Sequence, residues 1–200
     1  MLELVESNLG NANHTSLFNR GGFVALLTGH AGVGKTMTAQ ALAERVERPL
    51  YPFRLSELGA SPSEFELNLR AAIDLAETWN AILLIDDADV LVDCREETEF
   101  LQSVMAAILL RHLDSYRGTL IITAKRNKVN SSLLGRVHLR YTYSDLNQSS
   151  RKQIWRCILS EARGHVLDVE VNDEEIEEFS TMDLNGRQAS LSPPPSESPV

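Results

Sequence analysis

The chain has 200 residues, of which 43% are hydrophobic and 24% charged, the composition of an ordinary globular protein rather than a disordered or fibrous one. A chain of this length buries roughly 70% of its unfolded surface, so one main domain with a small appendage is expected, without covalent staples. The net charge of −9, from 19 basic and 28 acidic residues, argues against a surface that coats nucleic acid.

Met1–Arg20 is a polar lead-in, with a short helix expected through Leu9 and ended by Gly10. Phe23-Val24-Ala25-Leu26-Leu27 reads as a buried strand. It runs into Gly29, His30, Ala31, Gly32, Val33, Gly34, Lys35 and Thr36, a full match to the phosphate-loop pattern Gly-x-x-x-x-Gly-Lys-[Ser/Thr]. The glycines allow a tight turn whose N–H groups face inward and cradle anionic oxygens, aided by the positive end of the following helix. In that pattern Lys35 reaches the terminal phosphates and the Thr36 hydroxyl ligates Mg²⁺. Ala39, Leu42, Ala43 and Val46 then mark one helical face, so the motif has the strand–loop–helix context it needs. A bare glycine turn would account for the glycines but not for Lys-Thr at the helix start.

Pro49–Arg54 is expected to be a short extended segment, because its two prolines disfavour helix. Ser61-Pro62-Ser63-Glu64 predicts a helix start: Ser61 caps, Pro62 fits the first turn and Glu64 reaches back. Phe65, Leu69, Ala72, Ile73 and Ala76 line one face of that helix, with Trp79 expected as a core anchor near its end. Ala81–Ile85 is a continuous apolar run, as in a central parallel strand. It ends in Asp86 and Asp87. Sheets of this type bind ligands beyond the carboxyl ends of their strands, so Asp86 is expected to hold Mg²⁺, and Asp87 to orient or deprotonate an attacking water. Two acids that merely cap a strand are the plainer alternative.

Further along, Glu97–Leu113 is predicted helical, Thr119–Ala124 a buried strand and Val137–Tyr143 a last strand. Gln148–Ala162 forms a helix with Ile154, Trp155, Ile158 and Leu159 on its apolar side, and Asn172–Phe179 a short acidic helix. Ala189–Val200, rich in serine and proline, reads as a disordered tail. Alternating strands and helices imply an α/β layer fold with a parallel sheet. Cys94 and Cys157 lie in different segments, with no Cys-x-x-Cys spacing, and read as free thiols of a reducing compartment. No run approaches the roughly 18 apolar residues of a membrane span, and residues 1–20 lack the basic start and apolar core of a secretory signal. An intracellular soluble protein, of cytoplasm or nucleus, is the expectation.

The phosphate loop is followed in order by Arg-Pro-Leu-Tyr at 48–51, Ser-Glu-Leu-Gly at 56–59, Ala-Glu-Thr-Trp at 76–79 and Leu-Leu-Ile-Asp-Asp-Ala-Asp-Val-Leu at 83–91. From about Leu2 to Gln188 the sequence resembles AAA-type ATPases, most of all a group of fungal AAA ATPase-domain proteins. The resemblance implies a P-loop NTPase three-layer α/β fold, with a five-stranded parallel sheet and the sensor strand between the two motif strands. It also implies Mg·ATP binding, ATP hydrolysis, and assembly into a homo- or hetero-oligomeric ring. The implied organisation is a lead-in over 1–20, an ATP-binding core over 21–146, a partial helical lid over 147–188 and the tail over 189–200.

Residue by residue the resemblance is mixed. His30 and Ala31 replace the usual prolines at tolerant positions. Asp86 matches the metal carboxylate. Asp87 stands where the family has glutamate, and its side chain is one methylene, roughly 1.5 Å, shorter; since a misplacement of about 1 Å costs on the order of 10²-fold in rate, hydrolysis is expected to be slow. Lys125, in the first sensor segment, replaces asparagine; an ammonium donates to a γ-phosphate but cannot accept from water. A solvent-facing lysine at a strand end is the alternative. Arg136 matches the arginine finger, which acts on a neighbouring subunit's nucleotide, against the alternative of a surface arginine before an edge strand. Arg187 matches the second sensor arginine near the γ-phosphate. There the pattern breaks: the chain turns into Ser-Leu-Ser-Pro-Pro-Pro, which a helix cannot cross, so the lid is expected to be truncated. Leu55–Ser61 lacks the aromatic residue of protein-threading rings, and the protein substrate is not legible. Two other functions compete with an ATPase. One is a non-catalytic ATP-binding structural or regulatory subunit. The other is a small-molecule kinase, for which an arginine-rich substrate lid is lacking.

Overall fold

The computed structural model describes residues 22–54, 61–89, 99–125, 129–162, 173–182 and 185–186. The chain divides into two compact units, residues 1–29 with 35–143, and residues 30–34 with 144–200. The lead-in helix, Leu55–Ala60, Cys94, Asn172, Arg187 and the serine–proline tail lie outside the described residues.

In the first unit, strands β1 (Phe23–Thr28), β2 (Leu50–Arg54), β3 (Ile82–Asp86), β4 (Thr119–Ala124) and β5 (Leu139–Thr142) form one sheet in the order β2-β3-β4-β1-β5. Every neighbouring pair is parallel. The sensor strand β4 thus lies between β1 and β3, as the resemblance implied. Strands β1, β3 and β4 are continuous apolar runs because both faces of the sheet are covered. Their alternate side chains serve two cores. Val24, Leu26, Leu83, Ile85, Leu120 and Ile122 face one, together with Phe65, Leu69, Ile73, Met105 and Leu109 from the helices α2 (Pro62–Thr78) and α3 (Glu99–Leu113). Phe23, Ala25, Leu27, Ile82, Leu84 and Ile121 face the other, with Ala39, Leu42 and Ala43 of α1 (Lys35–Arg45). Helix, sheet, helix is the three-layer arrangement expected. A short helix α4 (Ser131–Leu134), capped by Asn130, precedes β5; four residues are too few to leave a periodic signal.

Helix α2 starts where its sequence says it should. Ser61 is extended (φ −120°, ψ 153°), its hydroxyl accepts from the Glu64 N–H at 3.3 Å, and Pro62 occupies the first turn. Its buried residues are the five expected. Trp79 is a correction: it is 55% exposed and meets Tyr51 edge-on, with ring centroids 6.4 Å apart. The helix ends at Thr78, so Trp79 passes the last core contact and rests beside the edge strand. At the amino edge of the sheet, Arg48 ties three segments together. Its guanidinium donates to the Asn80 and Ala81 carbonyls and to Thr119 Oγ1, at 2.8, 3.3 and 3.0 Å.

In the second unit, α5 (Gln148–Ala162) and α6 (Asp173–Thr181) pack through Trp155, Leu159, Ile176 and Phe179, with the Trp155 and Phe179 rings 5.4 Å apart. Arg151 fastens their connection by donating to the carbonyls of Ser180 and Leu146 at 2.9 and 2.8 Å. Cys157 is exposed and takes part in no disulfide. Among the described residues no helix is long and apolar enough to cross a membrane.

The two aromatic residues of α2 should respond differently to truncation. Phe65, fully buried, should cost about 3–5 kcal/mol as Phe65→Ala. Trp79→Ala should cost less than about 1 kcal/mol. Urea unfolding of the two variants measures both, and equal losses would contradict the packing described.

Candidate functional site

Parallel strands deliver their carboxyl ends to one edge of the sheet. In the first unit this edge collects Gly29 after β1, Asp86 and Asp87 at the end of β3, and Lys125 after β4. Asp86 is the hub. Its Oδ1 accepts from Thr36 Oγ1 at 2.9 Å and from Thr123 Oγ1 at 2.6 Å. An ionised acceptor gives short, strong hydrogen bonds, and here one oxygen joins the start of α1 to the ends of β3 and β4. The 2.9 Å between the Thr36 and Asp86 oxygens equals the spacing of adjacent oxygens in an octahedral shell with bonds of about 2.0–2.1 Å. These two residues therefore fit Mg²⁺ in both donor type and spacing.

Lys35 is only 7% exposed. Its ammonium donates to the Gly29 carbonyl at 2.7 Å, across the base of the loop. Desolvation by burial lowers its pKa; Asp87, Asp89 and Asp86 oppose that shift by attraction, and Lys125 adds to it by repulsion. A cation is held where burial disfavours it and where carboxylates make it tolerable.

Asp87 leaves the strand in a left-handed conformation, φ 54°, uncommon for a residue other than glycine. Its N–H donates to Thr123 Oγ1 at 2.9 Å. Its carboxylate lies 3.4 Å from Lys125 Nζ, both side chains being more than half or half exposed, at 57% and 50%. The Lys125 N–H donates to Asp89 Oδ1 at 2.7 Å. The two positions that depart from the family pattern are thus joined to one another as an ion pair.

Gly29 closes against β5: a Cβ there would come within 2.8 Å of Tyr143 Cβ. In the second unit, His30 is exposed and its ring pairs with Asp145. Ala31 is exposed, and Val33 and Gly34 are half-buried. Gly32 has φ +77°, and a Cβ on it would meet the Asn185 side chain at 2.5 Å. The Gly186 N–H donates to the Gly32 carbonyl at 3.0 Å. Asn185 and Gly186, just before the second sensor position Arg187, therefore touch the loop, while Arg187 lies outside the described residues.

Arg136 precedes β5 and so sits at the amino edge of the sheet, opposite the edge that carries Asp86. Its guanidinium makes a two-pronged pair with Asp114, Nε to Oδ1 at 2.6 Å and Nη2 to Oδ2 at 2.8 Å, and also donates to the Ser132 carbonyl at 3.1 Å. This pairing lowers the Asp114 pKa and raises that of Arg136. Arg136 is not brought to Lys35, Thr36 and Asp86 within its own chain. Sequence reasoning missed Thr123, Asp89 and Asp145. A threonine within the apolar run of β4 was the one signal available for the first.

The family of AAA proteins, "ATPase family associated with various cellular activities", matches residues 25–144. No curated protein matches the chain. Many solved structures do. One is the crystal structure of the FIGL-1 AAA domain in complex with ADP, with a TM-score of 0.65 and 19% identity, covering 84% of this chain. The match spans 57% of the FIGL-1 chain, and at that identity it speaks for the fold. A match of the family over residues 25–144, on a parallel sheet whose sensor strand lies between its motif strands, shows that the chain belongs to the AAA ATPase family.

Proposed function

We propose that this chain binds Mg·ATP at Gly29–Thr36 and hydrolyses it slowly. The observation that carries the reading is the meeting of Lys35, Thr36 and Asp86 at the carboxyl edge, two oxygens spaced for Mg²⁺ beside a buried ammonium. In this reading the loop's N–H groups, from Gly29 through Gly34, and Lys35 surround the phosphates. Thr36 and Asp86 hold the metal, which would neutralise charge on the transferred phosphoryl group. Asp87 orients the attacking water, Lys125 balances phosphate charge, and Arg187 belongs to the lid. Arg136 serves a neighbouring copy in a ring, and must exchange Asp114 for a phosphate to do so. The setting is soluble and intracellular, in cytoplasm or nucleus.

A second reading has its own observation. Lys125 pairs with Asp87 at 3.4 Å and so engages the carboxylate that hydrolysis needs. A subunit that holds ATP without turning it over would carry such a pair. Phosphate release from the purified protein separates the two: slow turnover supports the enzyme, and firm binding without release supports the binding subunit. Asp87→Glu restores the missing reach and should raise turnover about tenfold, well inside the roughly 10²-fold that 1 Å can cost. Asp87→Glu with turnover unchanged or lower would sink the role given to Asp87.

Lys35→Met should lower turnover by at least about 10²-fold and yet not weaken the nucleotide-free fold. The sign follows from the lowered pKa. Between that pKa and the ordinary 10.5, the unfolded chain binds a proton that the folded chain does not, so stability rises with pH in that window. Thermal melts from neutral to alkaline pH should show this rise in the wild type relative to Lys35→Met. Parallel pH profiles would contradict the burial cost assigned to Lys35.

A further inference from the structure

Thr123 is the penultimate residue of the sensor strand and is fully buried, with 0% exposure. Three successive residues at and just beyond the end of β3 are bound to it. Its Oγ1 donates to Asp86 Oδ1 at 2.6 Å, accepts from the Asp87 N–H at 2.9 Å, and its carbonyl accepts from the Ala88 N–H at 2.8 Å. The β3–β4 register runs to Ile85↔Ile122, so Thr123 stands where the ladder gives out and the chain turns away through the left-handed Asp87. A hydroxyl has one proton to give and lone pairs to receive. Here the proton goes to the metal-side carboxylate and a lone pair takes the N–H of the water-side residue. One atom therefore fixes the setting of both acids.

We propose that Thr123 is a positioning residue, whose hydroxyl holds the Asp86 carboxylate and the Asp87 backbone in the mutual arrangement that hydrolysis uses. The proposal rests on the ATPase reading above, but its geometry does not depend on a bound nucleotide. A valine at this position matches threonine in shape and lacks the hydroxyl, whereas serine keeps the hydroxyl and loses a methyl. That separates hydrogen bonding from packing.

The test compares Thr123→Val and Thr123→Ser with the wild type in two measurements. The first is amide hydrogen exchange by NMR on the nucleotide-free protein. Thr123→Val should speed exchange at Asp87 about tenfold, the worth of one hydrogen bond, beyond any change at Leu26 in β1. Thr123→Ser should leave Asp87 protected. The second is steady-state ATP turnover: Thr123→Val should lower kcat by about 10-fold to 10²-fold with KM changed less than about threefold, and Thr123→Ser should recover most of kcat. Unaltered Asp87 exchange in Thr123→Val overturns the proposal, as does a Thr123→Ser variant as impaired as Thr123→Val. A wild type without turnover would remove the ATPase reading, while the exchange comparison would still decide whether Thr123 holds Asp87.

Discussion

Everything at the carboxyl edge of this sheet depends on where the charge of Asp86 goes. The side chain ends a strand that is otherwise wholly apolar, and its half-buried carboxylate takes hydrogen bonds from neighbouring elements. Both donors are hydroxyls carried by other elements, Thr36 at the start of α1 and Thr123 at the end of β4. Satisfying one acid therefore sets three elements relative to each other. Remove the acid and Thr36 and Thr123 lose the acceptor they share, and Thr123 keeps only its contact with the Asp87 N–H.

The same edge carries a second tension. Lys35 is buried, its ammonium donates to the Gly29 carbonyl at 2.7 Å, and the carboxylates of Asp87, Asp89 and Asp86 offset part of the cost of burial. Lys125 complicates the picture, since it repels Lys35 while pairing with Asp87. Asp87 and Lys125 thus belong together, an exposed acid whose charge is met by a neighbouring cation. In the function proposed above both would act on the terminal phosphate, so that the pair would bear on the step that follows binding rather than on binding itself.

Much of this was legible in the sequence because apolar runs and helical stripes are direct records of burial. Phe23–Leu27, Ala81–Ile85 and Thr119–Ala124 could only be strands covered on both faces, and the five buried positions of α2 were spelled out at helical spacing. Ser61 and Pro62 marked its start through local hydrogen bonding and φ alone. Trp79 misled because its spacing continues the stripe, whereas the helix stops one residue before it. Within the site, Lys35, Thr36 and Asp86 were legible as parts of fixed-spacing motifs. Thr123 was not, because a threonine near the end of an apolar strand has no pattern until the fold brings its hydroxyl to Asp86. Nor was the pair of Arg136 with Asp114, which joins residues 22 positions apart.

The claim on which the rest stands is that Thr36 and Asp86, beside Lys35, form a site for Mg·ATP. Calorimetric titration of the intact protein with ATP, once with Mg²⁺ and once with a chelator, tests it most directly. The account predicts saturable binding with Mg²⁺ and binding weaker by about tenfold or more without it, the loss expected when a charged ligand's metal partner is removed. Binding of equal strength in both titrations, or none at millimolar ATP, would contradict it.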